Sequence, residues 1–235
     1  APFIQTNVQG TQTLLRAAVD LKVARVVHVS TDEIYGPILK GSHTEEARLN
    51  PRSPYAASKA AGDLLVQAYR ETYGLPVIIA RPTNAFGPRQ FPEKFIPLCI
   101  TNAMEDLPLP IYGDGLHQRS WLFVEELCQA IELIAARGAL GTVYNAGSPW
   151  DLPNLEVARA LLRILGKPET LLQFSVCPFN LFSLITHGTW HPVLRTQFIK
   201  NCSSNAKFRI GFEFVIATGI VFFNGIHKSN HSRTN

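Results

Sequence analysis

The chain has 235 residues, of which 46% are apolar and 17% charged, enough to bury a core and a composition that excludes a disordered, collagen-like or coiled-coil protein. Its 22 basic and 18 acidic residues give a net charge of +4, but positions 175–235 carry six basic residues against the single acid Glu213; the basic excess belongs to that stretch and implies no nucleic-acid partner. Cys99, Cys128, Cys177 and Cys202 form no CxxC pair and no zinc-like spacing with histidine, and there is no leader pattern and no apolar run of about 18 residues, so a cytoplasmic protein without metal or membrane partner is expected.

Apolar periodicity predicts a helix over Gln5 to Leu21 and a buried parallel strand over Arg25 to Ser30, where the run is short, β-branched and apolar. A polar loop holding Gly36, Pro37 and Gly41 leads to a helix from Pro54 to Tyr73, ended by Gly74, and a strand from Pro76 to Ala80. A long loop over Pro82 to Pro92 is followed by a helix over Phe95 to Met104 and strands at Pro108 to Tyr112 and Trp121 to Val124. A helix over Glu125 to Arg137, a strand over Thr142 to Asn145 and a helix over Asn154 to Leu165, capped by Gly166, complete the pattern. Such alternation predicts an α/β fold with a mostly parallel sheet and ligands at the carboxyl ends of its strands. From Ser175 onward neither period persists. Phe214 to Phe223 is an apolar run of ten residues, suited to a buried strand.

Tyr55 and Lys59 stand four residues apart on a predicted helix, hence on one face. An ammonium held there would lower the phenol pKa toward that of a working base, although the same spacing also describes two surface residues on an amphipathic helix. Thr31, Asp32 and Glu33 follow the strand directly, where they would project from the sheet's carboxyl edge. The bland reading is a cap or turn with solvated acids. The sharper one is that neighbouring carboxylates in different environments serve as proton donor and proton acceptor, as elimination of water requires.

The order of strand, acid pair, polar loop and Tyr-x-x-x-Lys helix resembles the extended short-chain dehydrogenase/reductase family, and the string Ser30-Thr31-Asp32-Glu33-Ile34-Tyr35-Gly36 is similar to that of its dTDP-glucose 4,6-dehydratases. The resemblance continues through Thr6 to Thr11, Arg81 to Pro88, Phe91 to Pro97, Pro108 to Gly115, Arg119 to Trp121 and Tyr144 to Gly147, covering roughly residues 4 to 172. It implies a partial Rossmann-like, doubly wound parallel sheet with a small interleaved substrate-binding region. It also implies a lyase that uses NAD to convert a nucleotide-linked glucose into the 4-keto-6-deoxy sugar. In that scheme Tyr55 takes the 4-hydroxyl proton, Glu33 the C5 proton, and Asp32 protonates the departing 6-hydroxyl. Thr31 bonds the 4-oxygen, and Lys59, with Tyr55 and Ser30, holds the cofactor. Asn84, Glu93, Lys94, Phe95, Arg119 and Asn145 would bind the nucleotide sugar, Arg119 through a charge-assisted fork on the diphosphate. The resemblance also implies a homodimer built from the helices over Gln5 to Leu21 and Pro54 to Tyr73.

The sequence departs from the pattern in two places. It has no GxGxxG turn to seat a pyrophosphate, and nothing after Phe174 resembles the family. The expected organisation is therefore a partial dehydratase domain over 1–174 and an unassigned tail over 175–235, from a changed reading frame or a misjoined sequence. The strand over Arg25 to Ser30 is expected to expose a sheet edge, and the chain by itself is expected to be inactive and to bind NAD no tighter than millimolar. A nucleotide-sugar epimerase or decarboxylase, and a non-catalytic scaffold, are the alternatives.

Overall fold

A computed structural model describes residues 2–38, 41–175 and 219–223. They divide between two compact units, one drawn from Ala1–Gln90, Arg119–Leu152 and Phe212–Asn235, the other from Phe91–Gln118 and Pro153–Gly211.

The first unit opens with α1 (Pro2–Ile4), a π-helical stretch over Gln5–Gly10 and α2 (Thr11–Asp20), then β1 (Arg25–Val29), a 3-10 turn over Asp32–Tyr35, α3 (Pro54–Tyr73), β2 (Val77–Pro82) and β3 (Asn84–Phe86). The chain next supplies α4 (Phe95–Met104) and β4 (Leu109–Tyr112) to the second unit. It returns for β5 (Gln118–Phe123), α5 (Val124–Arg137), β6 (Val143–Ala146) and β7 (Asp151–Pro153), then adds α6 (Asn154–Leu165) and β8 (Leu172–Ser175) to the second unit. The last described element is β9 (Ile220–Phe223).

The main sheet has the order β6-β2-β1-β9. β1 runs parallel to β2, which runs parallel to β6, with Val27 opposite Ile78 and Ile79 opposite Val143. Strand alternation divides the core: Val26, Val77, Ile79 and Ile220 pack with Leu15 and Val66 from α2 and α3, whereas Val27, Ile78, Ala80 and Val221 pack with Ile134 and Ala135 from α5. Each fully buried aliphatic side chain contributes roughly 1.5–3 kcal/mol. Helices on both faces of a parallel sheet are the doubly wound arrangement expected.

α3 carries its own boundary signals. Ser53 Oγ accepts from Ala56 N at 3.0 Å, Pro54 occupies the first turn, and Gly74, at φ +66°, donates its N–H to Arg70 O at 2.9 Å. The helix approaches its neighbours closely at Gly62, where a methyl group would lie 3.0 Å from Asn7 O and 3.4 Å from His28 Nε2.

Several expectations need correction. The edge of β1 is not free: β9 pairs with it antiparallel, Val27 opposite Val221, and Val29 N donates to Gly219 O at 2.6 Å. Ile220 and Val221 are buried, so this part of the apolar run does form a strand; positions 214–218 lie outside the described residues. The long loop contains β3, which pairs in parallel with β5, Asn84 opposite Trp121. The first helix begins with π-helical rather than α-helical turns.

In the second unit, α4 and α6 cover the parallel pair β4–β8, with Cys99, Ala103, Leu109, Ile111, Ala158 and Leu162 as core. Cys177 and Cys202 lie outside the described residues. Among the described residues, no helix is long and apolar enough to cross a membrane, and no group of His, Cys, Asp and Glu is placed to hold a metal ion.

Candidate active site

The site begins where β1 ends. Thr31 is extended, at φ −158° and ψ 152°, and its Oγ1 accepts from Glu33 N at 3.3 Å, capping the turn that bears both acids. The same hydroxyl donates to Asp32 Oδ1 at 3.4 Å. Thr31 is buried, Asp32 half-buried and Glu33 exposed. Burial, and then the charge of Glu33, push the Asp32 carboxyl up to about 6 against the opposing pull of Thr31 and Arg119. Adjacent in sequence, the two acids thus sit in different surroundings, and Asp32 can keep a proton close to neutral pH.

α3 brings the base and the cation. Lys59 is 7% exposed, and its Nζ donates to Val29 O at 2.7 Å, fixing it to the last residue of β1. Tyr55 packs edge-on against Phe3 with ring centroids 5.6 Å apart. Its phenol is raised, first by burial and then by the charges of Glu33 and Asp32. This overturns the expectation that the lysine lowers it. Lys59 turns toward the β1 carbonyl, its own pKa is depressed by burial, and the acid pair dominates the phenol's surroundings. The charges of both acids act on Tyr55 and those of Glu33 and Arg119 act on Asp32, so Thr31, Asp32, Glu33, Tyr55 and Arg119 form one electrostatic neighbourhood, while Lys59 answers to Asp63.

Beneath them lies a buried ionic network that the sequence reading missed. Asp63, fully buried on α3, accepts from Arg81 Nε at 3.0 Å and lies 3.2 Å from His28 Nε2 on β1. Burial alone would raise its carboxyl, but His28, Ser30 and Arg81 together hold it below the ordinary value. Arg81 Nη1 also donates to the Tyr35 hydroxyl at 2.7 Å and to Glu45 O at 3.2 Å. The available signal was Asp63 at four residues beyond Lys59, on the same helix face.

The remaining candidates are placed as follows. Ser30 is buried, its N–H donating to Ala80 O at 2.7 Å. Asn84 is half-buried on β3, and Arg119 is exposed on β5. The Asn145 side chain is committed to protein partners: Oδ1 accepts from the Tyr35 hydroxyl at 2.8 Å, and Nδ2 donates to His43 O at 3.1 Å. Glu93, Lys94 and Phe95 belong to the second unit. The first two are exposed at the start of α4, whereas Phe95 packs on that unit's core.

A dinucleotide's nicotinamide-ribose end finds suitable groups here. An ammonium has three N–H donors, and the Lys59 contact with Val29 uses one; with the Tyr55 phenol one turn before it on α3 it offers donors to a vicinal diol, whereas the Ser30 hydroxyl is buried and acts on Asp63. No described residues form a glycine-rich strand-to-helix turn for the pyrophosphate.

A family model for the NAD dependent epimerase/dehydratase family matches residues 1–147. The chain belongs to that family. Within it, the chain is 50% identical over 173 residues to the low-salt glycan biosynthesis protein Agl12 of Haloferax volcanii, covering 74% of this chain and 56% of that one. It is 47% identical over 173 residues to a dTDP-glucose 4,6-dehydratase of Actinoplanes sp., covering 74% and 54%. Among solved structures, it is similar to a dTDP-glucose 4,6-dehydratase from Streptomyces venezuelae with NAD bound, at TM-score 0.74 and 49% identity, covering 75% of this chain and 55% of that one. The chain therefore spans about half the length of the curated family members it matches.

Proposed function

We propose that the protein is a nucleotide-sugar 4,6-dehydratase acting on a nucleoside diphosphate glucose, with thymidine as the favoured nucleoside, and that these residues carry its elimination step. The observation that carries the reading is the pair Asp32 and Glu33. The half-buried acid has a pKa raised to about 6, its neighbour is exposed, and both charges reach Tyr55.

Tyr55 receives the 4-hydroxyl proton of the hexose, and Thr31, turning its one hydroxyl proton away from Asp32, donates a hydrogen bond to the resulting 4-oxygen. Lys59 and Tyr55 would hold a nicotinamide, which when bound would supply a hydride acceptor for C4 and a donor for C6 and, oxidised, the positive charge that deprotonation of the raised phenol needs. With C4 a ketone, the C5 proton is acidic, and the Glu33 carboxylate removes it. As the C5–C6 double bond forms, the C6–O bond breaks, and Asp32 gives its proton to the leaving oxygen, releasing water. Arg119, whose charge already reaches Asp32, is assigned to the diphosphate, with Asn84 beside the sugar. Asn145 is assigned to holding Tyr35, in keeping with its bonds.

The elimination step can be tested without cofactor. In deuterium oxide, a dTDP-hexose already oxidised at C4 should lose its C5 proton and its 6-hydroxyl in the presence of the protein, leaving the C5–C6 alkene, and substrate reprotonated before elimination should carry deuterium at C5. Replacing Asp32 by Asn and Glu33 by Gln should abolish both events. Retention of the 6-hydroxyl with inversion at C5 would instead identify an epimerase, and equal rates with and without the acid pair would refute the roles given.

A further inference from the structure

We propose that Arg81 is a positioning residue that sets the separation between the acid-bearing turn and the base-bearing helix. The inference rests on the dehydratase reading for its catalytic consequence but not for its geometry. Arg81 leaves the carboxyl end of β2 almost fully buried, at 3% exposure, and its guanidinium reaches in two directions. Nε donates to Asp63 Oδ2 at 3.0 Å, and Asp63 lies one turn beyond Lys59 and two turns beyond Tyr55 on α3. Nη1 donates to the Tyr35 hydroxyl at 2.7 Å, and Tyr35 closes the 3-10 turn that carries Asp32 and Glu33.

The guanidinium also lies 5.0 Å from the centre of the Tyr35 ring, whose other neighbour is His43, with ring centroids 5.1 Å apart. Asn145 accepts from the same hydroxyl at 2.8 Å, so Tyr35 can move neither along its ring axis nor away from Arg81 without losing a partner. A single planar, two-ended group thus bridges the two elements whose side chains are assigned to neighbouring carbons of one hexose. Lysine cannot substitute for that fork: its one nitrogen can reach Asp63 or Tyr35, but it cannot hold both in fixed directions. A misplacement of about 1 Å can cost on the order of 100-fold in rate, which makes such a strut worth a buried charge pair.

The test uses Tyr35→Phe, which keeps the ring and removes only the hydroxyl link, together with Arg81→Lys, both in the full chain. The first readout is the titration of the Asp32 carboxyl by carbon-13 NMR. Loosening the turn admits water, and the midpoint should fall from about 6 toward the ordinary 3.8 in both variants. The second is deuterium uptake at C5 of the 4-keto sugar, where kcat should fall on the order of 10- to 100-fold with KM unchanged. Adding Glu33→Gln to Tyr35→Phe should then slow uptake no further than Glu33→Gln alone. An unchanged Asp32 midpoint in both variants, even with a lowered melting temperature, would overturn the proposal by reducing the network to a structural core. A shifted midpoint in a protein that exchanges no C5 proton would support the strut while refuting the dehydratase reading.

Discussion

Replacing Asp32 by Asn should make the protein more stable, and only at neutral and alkaline pH. The folded carboxyl titrates at about 6 against an ordinary 3.8. That difference of roughly two units corresponds to at most about 3 kcal/mol, and solvent screening at the half-buried carboxyl places it within about 1–3 kcal/mol. The folded state therefore holds this proton more tightly than the unfolded chain. The associated stability is fully present below the unfolded pKa and is lost as pH rises through the folded one. Asparagine keeps the shape and carries no charge at any pH, so it removes that loss. Urea unfolding followed by circular dichroism, from about pH 4 to about pH 8, should show the two proteins converging at the acid end. The variant should lead by about 1–3 kcal/mol at the other. A constant offset across the range, or a variant less stable at pH ~8, would refute the account of Asp32 as a carboxyl whose ionisation the fold opposes.

Other expected outcomes follow from the same geometry. Glu33→Gln removes the second cause of the Asp32 shift, so carbon-13 titration should find the Asp32 midpoint below its parent value. Gly219 adopts φ +79°, and a methyl group there would lie 2.8 Å from Val29 O; Gly219→Ala should cost about 1–2 kcal/mol, and hydrogen exchange should quicken at the β1 amides that β9 covers. Ser53→Ala removes the acceptor for Ala56 N at the start of α3 and should cost about 1 kcal/mol in chemical denaturation.

What could be read from the sequence was local. α3 was legible in full because Ser53, Pro54 and Gly74 fix both ends without help from the rest of the fold. The strands β1 and β2 were legible because burial on both faces leaves an uninterrupted apolar run. β3 and β7 are three residues each, too short to show a period, and exist because β5 lies between them. The orientation of β9 depends on a partner nearly two hundred residues upstream, which no local pattern can encode. The acid pair and the Tyr55–Lys59 face were legible as motifs. Where the ammonium points was not, because its partner is a carbonyl thirty residues away. Asp63 and Arg81 escaped for the same reason, since a charge joins a buried pair only when a helix docks on its sheet.

The tight fit at Gly62 makes the depth of α3 depend on a missing side chain. Even alanine would press on the Asn7 carbonyl and on His28, and the helix would have to ease outward by a few tenths of an ångström. That movement would withdraw the ammonium three residues upstream and the phenol seven residues upstream from the proposed sugar site, yet leave the aliphatic packing nearly whole. Turnover would fade before cohesion, so a screen for heat tolerance would keep variants here that a screen for product would discard.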